Sequence, residues 1–524
     1  MPCDMFLISI LASLPILLYF FINWRLSYWK RKGVPQIEPE FLEGNTKDVN
    51  RSEIQNSVVF QKFHEYFKNN GHKFGGIYKK MTPVLMVTDL ELIKSVLVSD
   101  FVHFVNHDIF INEKGDPLSG NLFNLRDDKW RNMRAKLTPT FTTGKLKMMF
   151  QTMMDASSGL EKILEKNRTS KEPIDIKDCL TRFTVDIITS VAFGIESKSM
   201  DNPDSEFKAI ANKLVGPPPP NLQKRTIFKE IARKIKLIGD LVPEWVWIKL
   251  NCRSLPQFLE DFFVEVVNDI VTYREKNNVY RKDFMHLLIQ LKNIGKVTDD
   301  GTIKADSSKD VHLTMKEITA HSFVFFIAGF ETSSTAMTYA LFHLAQNQEL
   351  QDKARNQINA VLEKHNGVVC YDAIMEMQYL EQIILESLRM HPPIVLIERL
   401  CTKDYIIPDT DILIEKGTVL NISTRGIHYD PDIYPNPNVF DPDRFSPENK
   451  SLIPPMAFLA FGEGPRLCIG LRFGKLQAKV GLCSILRTCR VTLNEKTQLP
   501  WKYDSRLHFP NVEGGVWLNL ESLE

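Results

Sequence analysis

Residues 458–475 read FLAFGEGPRLCIGLRFGK, and the chain is organised around the cysteine in that stretch, Cys468. Glycines at 462, 464 and 470 surround one thiol, and Arg466 stands two residues before it. Glycine lets a backbone turn tightly and approach a flat or bulky group with no Cβ in the way. Amides at a turn, and at the start of the helix-compatible run that follows, favour a thiolate over a thiol. Arg466 adds a permanent cation suited to a carboxylate. The plainer alternative is a glycine-rich turn around a buried free cysteine.

Five fixed positions separate the two readings. Phe461, Gly464, Arg466, Cys468 and Gly470 fit F-x-x-G-x-R-x-C-x-G, which resembles the haem-binding signature of the cytochromes P450. The resemblance implies a haem b whose metal ligand is the Cys468 thiolate, bound by a loop that includes Phe461, Gly462, Arg466 and Gly470.

Composition sets the outer bounds. The 524 residues are 44% hydrophobic and 25% charged, enough for a large core, and a net charge of +1 argues against nucleic acid as a partner. Eight cysteines stand at 3, 179, 252, 370, 401, 468, 483 and 489. None forms a C-x-x-C pair, which leaves zinc ribbons, thioredoxin chemistry and ferredoxin-type clusters without support. Their scatter suits a reducing compartment.

Residues 5–22, MFLISILASLPILLYFFI, form an apolar run about long enough to span a bilayer. Trp24, Tyr28 and Trp29 follow as an expected interfacial belt, and Arg25, Lys30, Arg31 and Lys32 as a cytosolic basic cluster. The expected layout is an anchor over 1–24, a basic hinge over 25–40 and a catalytic domain over 41–524. The proline-rich hinge usual in microsomal relatives is present here only in reduced form.

The remaining motifs come in the family's order. Trp130 and Arg134 share a helix face, and the resemblance assigns them to the haem propionates. Residues 217–220 are four prolines that forbid a helix; beyond them a basic stretch carries Lys224, Arg225, Lys229, Arg233, Lys234 and Lys236. With Trp245 and Trp247 it reads either as a second membrane contact or as a core helix with a solvated side. Residues 316–346 form the longest apolar helix after the anchor, but Glu331 in its middle argues against a bilayer span. Ala328-Gly329-Phe330-Glu331-Thr332 resembles the family's A-G-x-[DE]-T motif, which implies that Thr332 and Glu331 are catalytic, passing protons during oxygen activation. Gly329 would leave room for dioxygen.

Glu386 and Arg389, with Arg444, match the family's buried Glu-Arg-Arg network. P-D-R-F stands where P-E-R-F is usual, which puts only Asp443 in question. By resemblance Arg399 reaches a propionate, and His428 is either a further propionate partner or a solvent-facing histidine. Phe123, Phe323, Ala328, Ile394, Leu396 and Phe509 are expected to line an apolar substrate pocket. Arg472, Lys475 and Lys479 either dock an acidic redox partner or form a solvated helix face.

The resemblance therefore implies a mainly α fold with small β-sheets behind one N-terminal transmembrane helix, in the endoplasmic reticulum membrane. The expected activity is monooxygenation of small lipophilic molecules with O2, most like the vertebrate drug-metabolising and insect detoxifying branch. Electrons would come from NADPH through a separate NADPH-cytochrome P450 reductase, with cytochrome b5 as a possible second donor, because no G-x-G-x-x-G after a strand marks a fused one. A haem-thiolate isomerase or dehydratase, and a non-catalytic haem- or lipid-binding membrane protein, are the rival readings. The sequons at Asn167, Asn421 and Asn449 are expected to stay unmodified on a cytosolic body.

Overall fold

Helices carry most of the chain, and short strands collect into sheets of four, three and two strands. The structure is a computed structural model that describes residues 2–216, 242–297 and 312–523, with side chains in the first helix described at Ser13 and from Pro15 onward. The basic stretch expected at 224–236 lies outside the described residues.

Helix α1 runs over Pro2–Leu26. Its far end packs on the body through Ile22 and Leu26, whereas Ile16, Leu17, Leu18, Tyr19 and Phe20 lie exposed. Among the described residues no helix is long and apolar enough to cross a membrane, and much of the 5–22 run has side chains outside them. The expected belt needs a correction at Trp29, which is fully buried rather than interfacial. Its indole N–H donates to the Ile77 carbonyl at 3.2 Å, and a Cβ on Gly76 would sit 2.2 Å from the ring. Val34 is buried in the same cluster, so part of the 25–40 hinge packs as body rather than as a free linker.

In the first sheet β1 (Phe74–Lys79) pairs antiparallel with β2 (Thr82–Val87). A short β3 (Ile174–Asp175) belongs to the second sheet, with β8 (Cys489–Leu493) and β9 (Trp517–Ser522). Returning to the first sheet, β4 (Leu396–Leu400) pairs antiparallel with β7 (Val419–Ser423), and β7 pairs parallel with β2, Val84 opposite Val419. Strands β5 (Tyr405–Ile406) and β6 (Leu413–Ile414) form the small third sheet. A parallel pair needs a crossover. Here the helices between residues 88 and 418 form it.

That body includes α2 (Asn56–Asn69), α3 (Asp127–Leu137), α4 (Thr143–Ser170), α5 (Ile176–Ala192) and α6 (Glu244–Lys249). It continues with α7 (Met315–Gln346), α8 (Gln348–Lys364), α9 (Tyr371–Glu376), α10 (Gln378–Met390) and α11 (Leu471–Leu486). The 32-residue α7 is the central strut, opened by a capping box in which Thr314 and Glu317 satisfy each other's amides. It is apolar on nearly all sides because other elements surround it. Two glycines set its crossings: a Cβ at Gly329 would lie 2.6 Å from Ile188 of α5, and one at Gly481 of α11 would lie 2.5 Å from the Met337 sulfur.

Candidate active site

The Cys468 loop is built by its glycines. Gly462 and Gly464 have φ near +70° and +69°, and a Cβ at Gly464 would collide with the Leu97 carbonyl. Either glycine replaced by an L-residue strains the turn. The Cys468 amide donates to the Phe461 carbonyl at 2.9 Å, closing the loop, and Gly470 caps α11 immediately behind it. Cys468 is exposed, yet burial pushes its thiol up, against the Gly470 amide and Arg134, which pull it down. Its side chain is thus accessible yet set among protein groups. Burial favours the neutral thiol while no metal is bound, and coordination to a metal is what would hold the sulfur as the thiolate.

Helix α7 also keeps an open stripe. Val324, Ile327, Ala328 and Thr332 keep exposed or half-exposed side chains within an otherwise buried helix, and their spacing puts them on one stripe. The Thr332 hydroxyl donates back to the Ala328 carbonyl at 2.7 Å. Gly329 is not held open for a ligand, because Ile188 fills the space beside it. Phe323 also departs from expectation: it is 4% exposed, its ring 5.2 Å from Phe263 in the helical core, and Val324 and Ile327 take the open positions instead.

Glu331 turns away from the stripe into a polar cage. Lys177 of α5 donates to its Oε1 at 3.0 Å and also to Ser334 and Thr335, while Asn511 donates to the same oxygen at 3.3 Å. Oε2 is buried with no hydrogen-bond partner. Sequence reading missed Lys177 and Asn511, since both are distant in the chain and neither sits in a motif.

Three guanidiniums crowd the other side. Arg399 on β4 is 3% exposed, its Nε has no partner, and burial lowers its pKa to about 10. Arg466 is lowered to about 9, by burial first and then by Arg399 and Arg134. Arg134 on α3 is lowered by burial, with Cys468 opposing. Arg466 is also a staple: it donates to the carbonyls of Val105, Leu122, Phe123 and Leu125 at 2.6–3.3 Å, and its guanidinium lies 4.1 Å from the Trp130 ring centre. The loop that carries Phe123 is thereby tied to the cysteine loop.

His428 is no propionate partner and is not solvent-facing. It is fully buried, its Nε2 accepts from the Leu459 amide at 2.9 Å, and its Nδ1 donates to the Arg389 carbonyl at 2.9 Å. Both ring nitrogens are spent, and burial lowers its pKa to about 3. Beside it, Arg389 grips Glu386 with two bonds of 2.7 and 2.8 Å, and Arg444 approaches the same carboxylate at 3.5 Å. Asp443 is outside this network, paired with Lys353 at the surface.

Apolar surface is open at Phe123 and Ile394, and partly so at Leu396 and Phe509. The 509–511 segment hangs on α7, since Tyr339 donates to the Pro510 carbonyl at 2.8 Å. Of the expected docking cations, Lys475 and Lys479 are tied inward to Glu381, while Arg472 stays exposed and donates to Thr143.

An exposed interior thiol, glycines that clear the space beside it, and three clustered cations with an orphaned buried Nε fit a flat iron macrocycle bearing two carboxylates. The family model described as Cytochrome P450 matches residues 36–515. The chain belongs to the cytochrome P450 family. It is 39% identical over 530 residues to the probable cytochrome P450 6a23 of Drosophila melanogaster, covering 99% of both chains. Cytochrome P450 6A1 of Musca domestica is 38% identical over 524 residues, with 99% of this chain and 98% of that one covered. As a P450 the protein is a haem-thiolate monooxygenase that uses O2, with a mostly helical fold and small sheets.

Proposed function

We propose that this P450 oxygenates small lipophilic molecules in the cleft between Cys468 and the open stripe of α7. What supports this reading is an exposed thiol in the glycine-built loop, an open stripe with the Thr332 hydroxyl on the otherwise buried α7, and exposed apolar side chains at Phe123 and Ile394. Cys468, with Phe461, Gly462 and Gly470 around it, would hold the haem iron, while the clustered Arg134, Arg399 and Arg466 would hold its carboxylates, with Trp130 supporting Arg466. When bound, the haem supplies dioxygen activation, one oxygen atom entering the substrate and the other leaving as water.

The chain's own residues then have separable tasks. Phe123, Ala328, Ile394, Leu396 and Phe509 exclude water and offer apolar surface to the substrate. Thr332 presents its hydroxyl to the cleft, whereas Glu331, turned toward Lys177, would have to pass a proton to it through intervening water. Glu386, Arg389 and Arg444 brace the strands and loops behind the cysteine. We further assign the exposed apolar face of α1 to a membrane and electron supply to an NADPH-dependent reductase, with cytochrome b5 as an additional donor. The endoplasmic reticulum, with the body on the cytosolic side, is the corresponding location. Asn421 is fully buried on β7, which by itself bars glycosylation there.

The test is the reduced carbon monoxide difference spectrum, followed by NADPH-dependent turnover with reductase. A strongly red-shifted Soret band lost in Cys468→Ala is the expected result. A histidine-type band, or no haem in a folded sample, would overturn the reading. Turnover without reductase or O2 would favour an isomerase instead.

A further inference from the structure

A second thiol is built into a reactive arrangement away from the cleft. Cys370 stands between α8 and α9, and its Sγ lies 3.6 Å from Nδ1 of His365. The other ring nitrogen, Nε2, lies 3.1 Å from Oε1 of Glu376. A carboxylate only accepts hydrogen bonds, so Nε2 carries the ring proton and donates it to Glu376, which leaves the lone pair on Nδ1 facing the sulfur. The thiol is then the donor to Nδ1, and the Ala373 amide donates to the same sulfur at 3.4 Å. Nucleophile, base and orienting carboxylate stand in the order that activates a thiol.

Chain geometry holds this trio together. Asn366 and Gly367 have φ of +54° and +77°, which folds the segment after α8 back so that His365 meets Cys370. The side chains of His365 and Glu376 are 23% and 49% exposed and Cys370 is half-buried, which sets the trio at the surface of the protein. Among the described residues Cys179, Cys401, Cys483 and Cys489 are buried, whereas Cys252 is half-buried with no histidine beside it. Helix α9 lies against α11, where the Lys479 ammonium donates to the Met375 carbonyl at 3.4 Å.

We infer that Cys370 is a modification site that hydrogen peroxide oxidises, with His365 as the base that takes the thiol proton and Glu376 as the group that orients it. Sulfur attacks one peroxide oxygen, the O–O bond breaks and an S–O bond forms. The leaving hydroxide takes the proton from His365 and departs as water. Thiol becomes sulfenic acid while peroxide is reduced to water, so electrons and atoms balance. One small thiol would condense with the sulfenic acid to a mixed disulfide and water, and a second would release the Cys370 thiol as the two small thiols leave as a disulfide.

The experiment uses the haem-loaded full-length protein, exposed to hydrogen peroxide with a dimedone-type trap, and reads each cysteine peptide by mass spectrometry. Cys370 should trap about tenfold or more faster than Cys252, the scale of a modest general-base contribution. His365→Gln should bring Cys370 down to the Cys252 rate while the carbon monoxide spectrum stays unchanged, and Glu376→Gln should slow it by a smaller factor. Equal rates at Cys370 and Cys252 would overturn the proposal. So would an unchanged Cys370 rate in both variants, which separates an activated thiol from one that is merely exposed.

Discussion

Arg466 shows how one side chain can be legible in kind and illegible in use. Its charge beside Cys468 pointed to a carboxylate, but most of its donors are spent on four carbonyls of the 105–125 loop. Lysine would keep the charge and lose the fork that reaches several carbonyls at once. Arg466→Lys should therefore weaken urea resistance by about 2–4 kcal/mol, given roughly 1.5–3 for each charged hydrogen bond and partial replacement by water. Equilibrium denaturation and the rate of haem loss are the measurements, and an unchanged midpoint would mean the staple contributes nothing. His428 teaches the same lesson from the other side. Its position in the chain allowed a ligand-facing role, but its two partners, the Leu459 amide and the Arg389 carbonyl, are set by tertiary packing that no local spacing encodes. Glu331 was legible as a polar group inside an apolar helix; Lys177, 154 positions away, was not.

Helix α7 was the easiest element to read, since a long apolar run with a central carboxylate already implied burial inside the protein. What the pattern could not tell was which face opens to the cleft. Phe323 and Val324 are equally apolar, and only the crossing geometry sends one into the core and leaves the other at the cleft. Gly329 sets that geometry by letting α5 approach. Gly329→Val should drive the new side chain into Ile188 and lower stability by about 1–3 kcal/mol, the usual cost of overpacking. Ile188→Ala costs stability alone but should recover part of the loss when combined with Gly329→Val. Thermal unfolding of the four proteins in a double-mutant cycle measures that coupling, and strict additivity would refute the contact as the cause.

Over the whole molecule, buried neutral histidines set the response to acid. Burial lowers His64 and His321 to about 4, and His343 and His428 to about 3, with His391 well below its ordinary value. Each is depressed relative to an unfolded value near 6.5, so its contribution is fully present above that pH and is lost as pH falls from about 6.5 toward 3. Each group contributes a slope of about 1.4 kcal/mol per pH unit within that window. Stability in urea should thus drop steeply between pH 7 and pH 5 and be nearly flat from pH 7 to 8. Replacing His343 with glutamine should make the acid slope shallower. A chain whose stability is level down to pH 5 would contradict these assignments. None of this acid sensitivity was visible in the sequence, where histidines carry no burial signal of their own.

The parallel pairing of β2 with β7 also fixes an order of events during synthesis. Val87 and Val419 belong to neighbouring strands, yet more than three hundred residues must emerge between them. At about 5–20 residues per second, β2 waits roughly 20–70 s on the ribosome for the partner that covers its edge. Through that interval β1 and β2 exist only as a hairpin, and an isolated hairpin is marginal in water. The nascent chain is therefore most vulnerable to aggregation and to chaperone capture near its beginning, and it becomes safe only when translation is four-fifths complete.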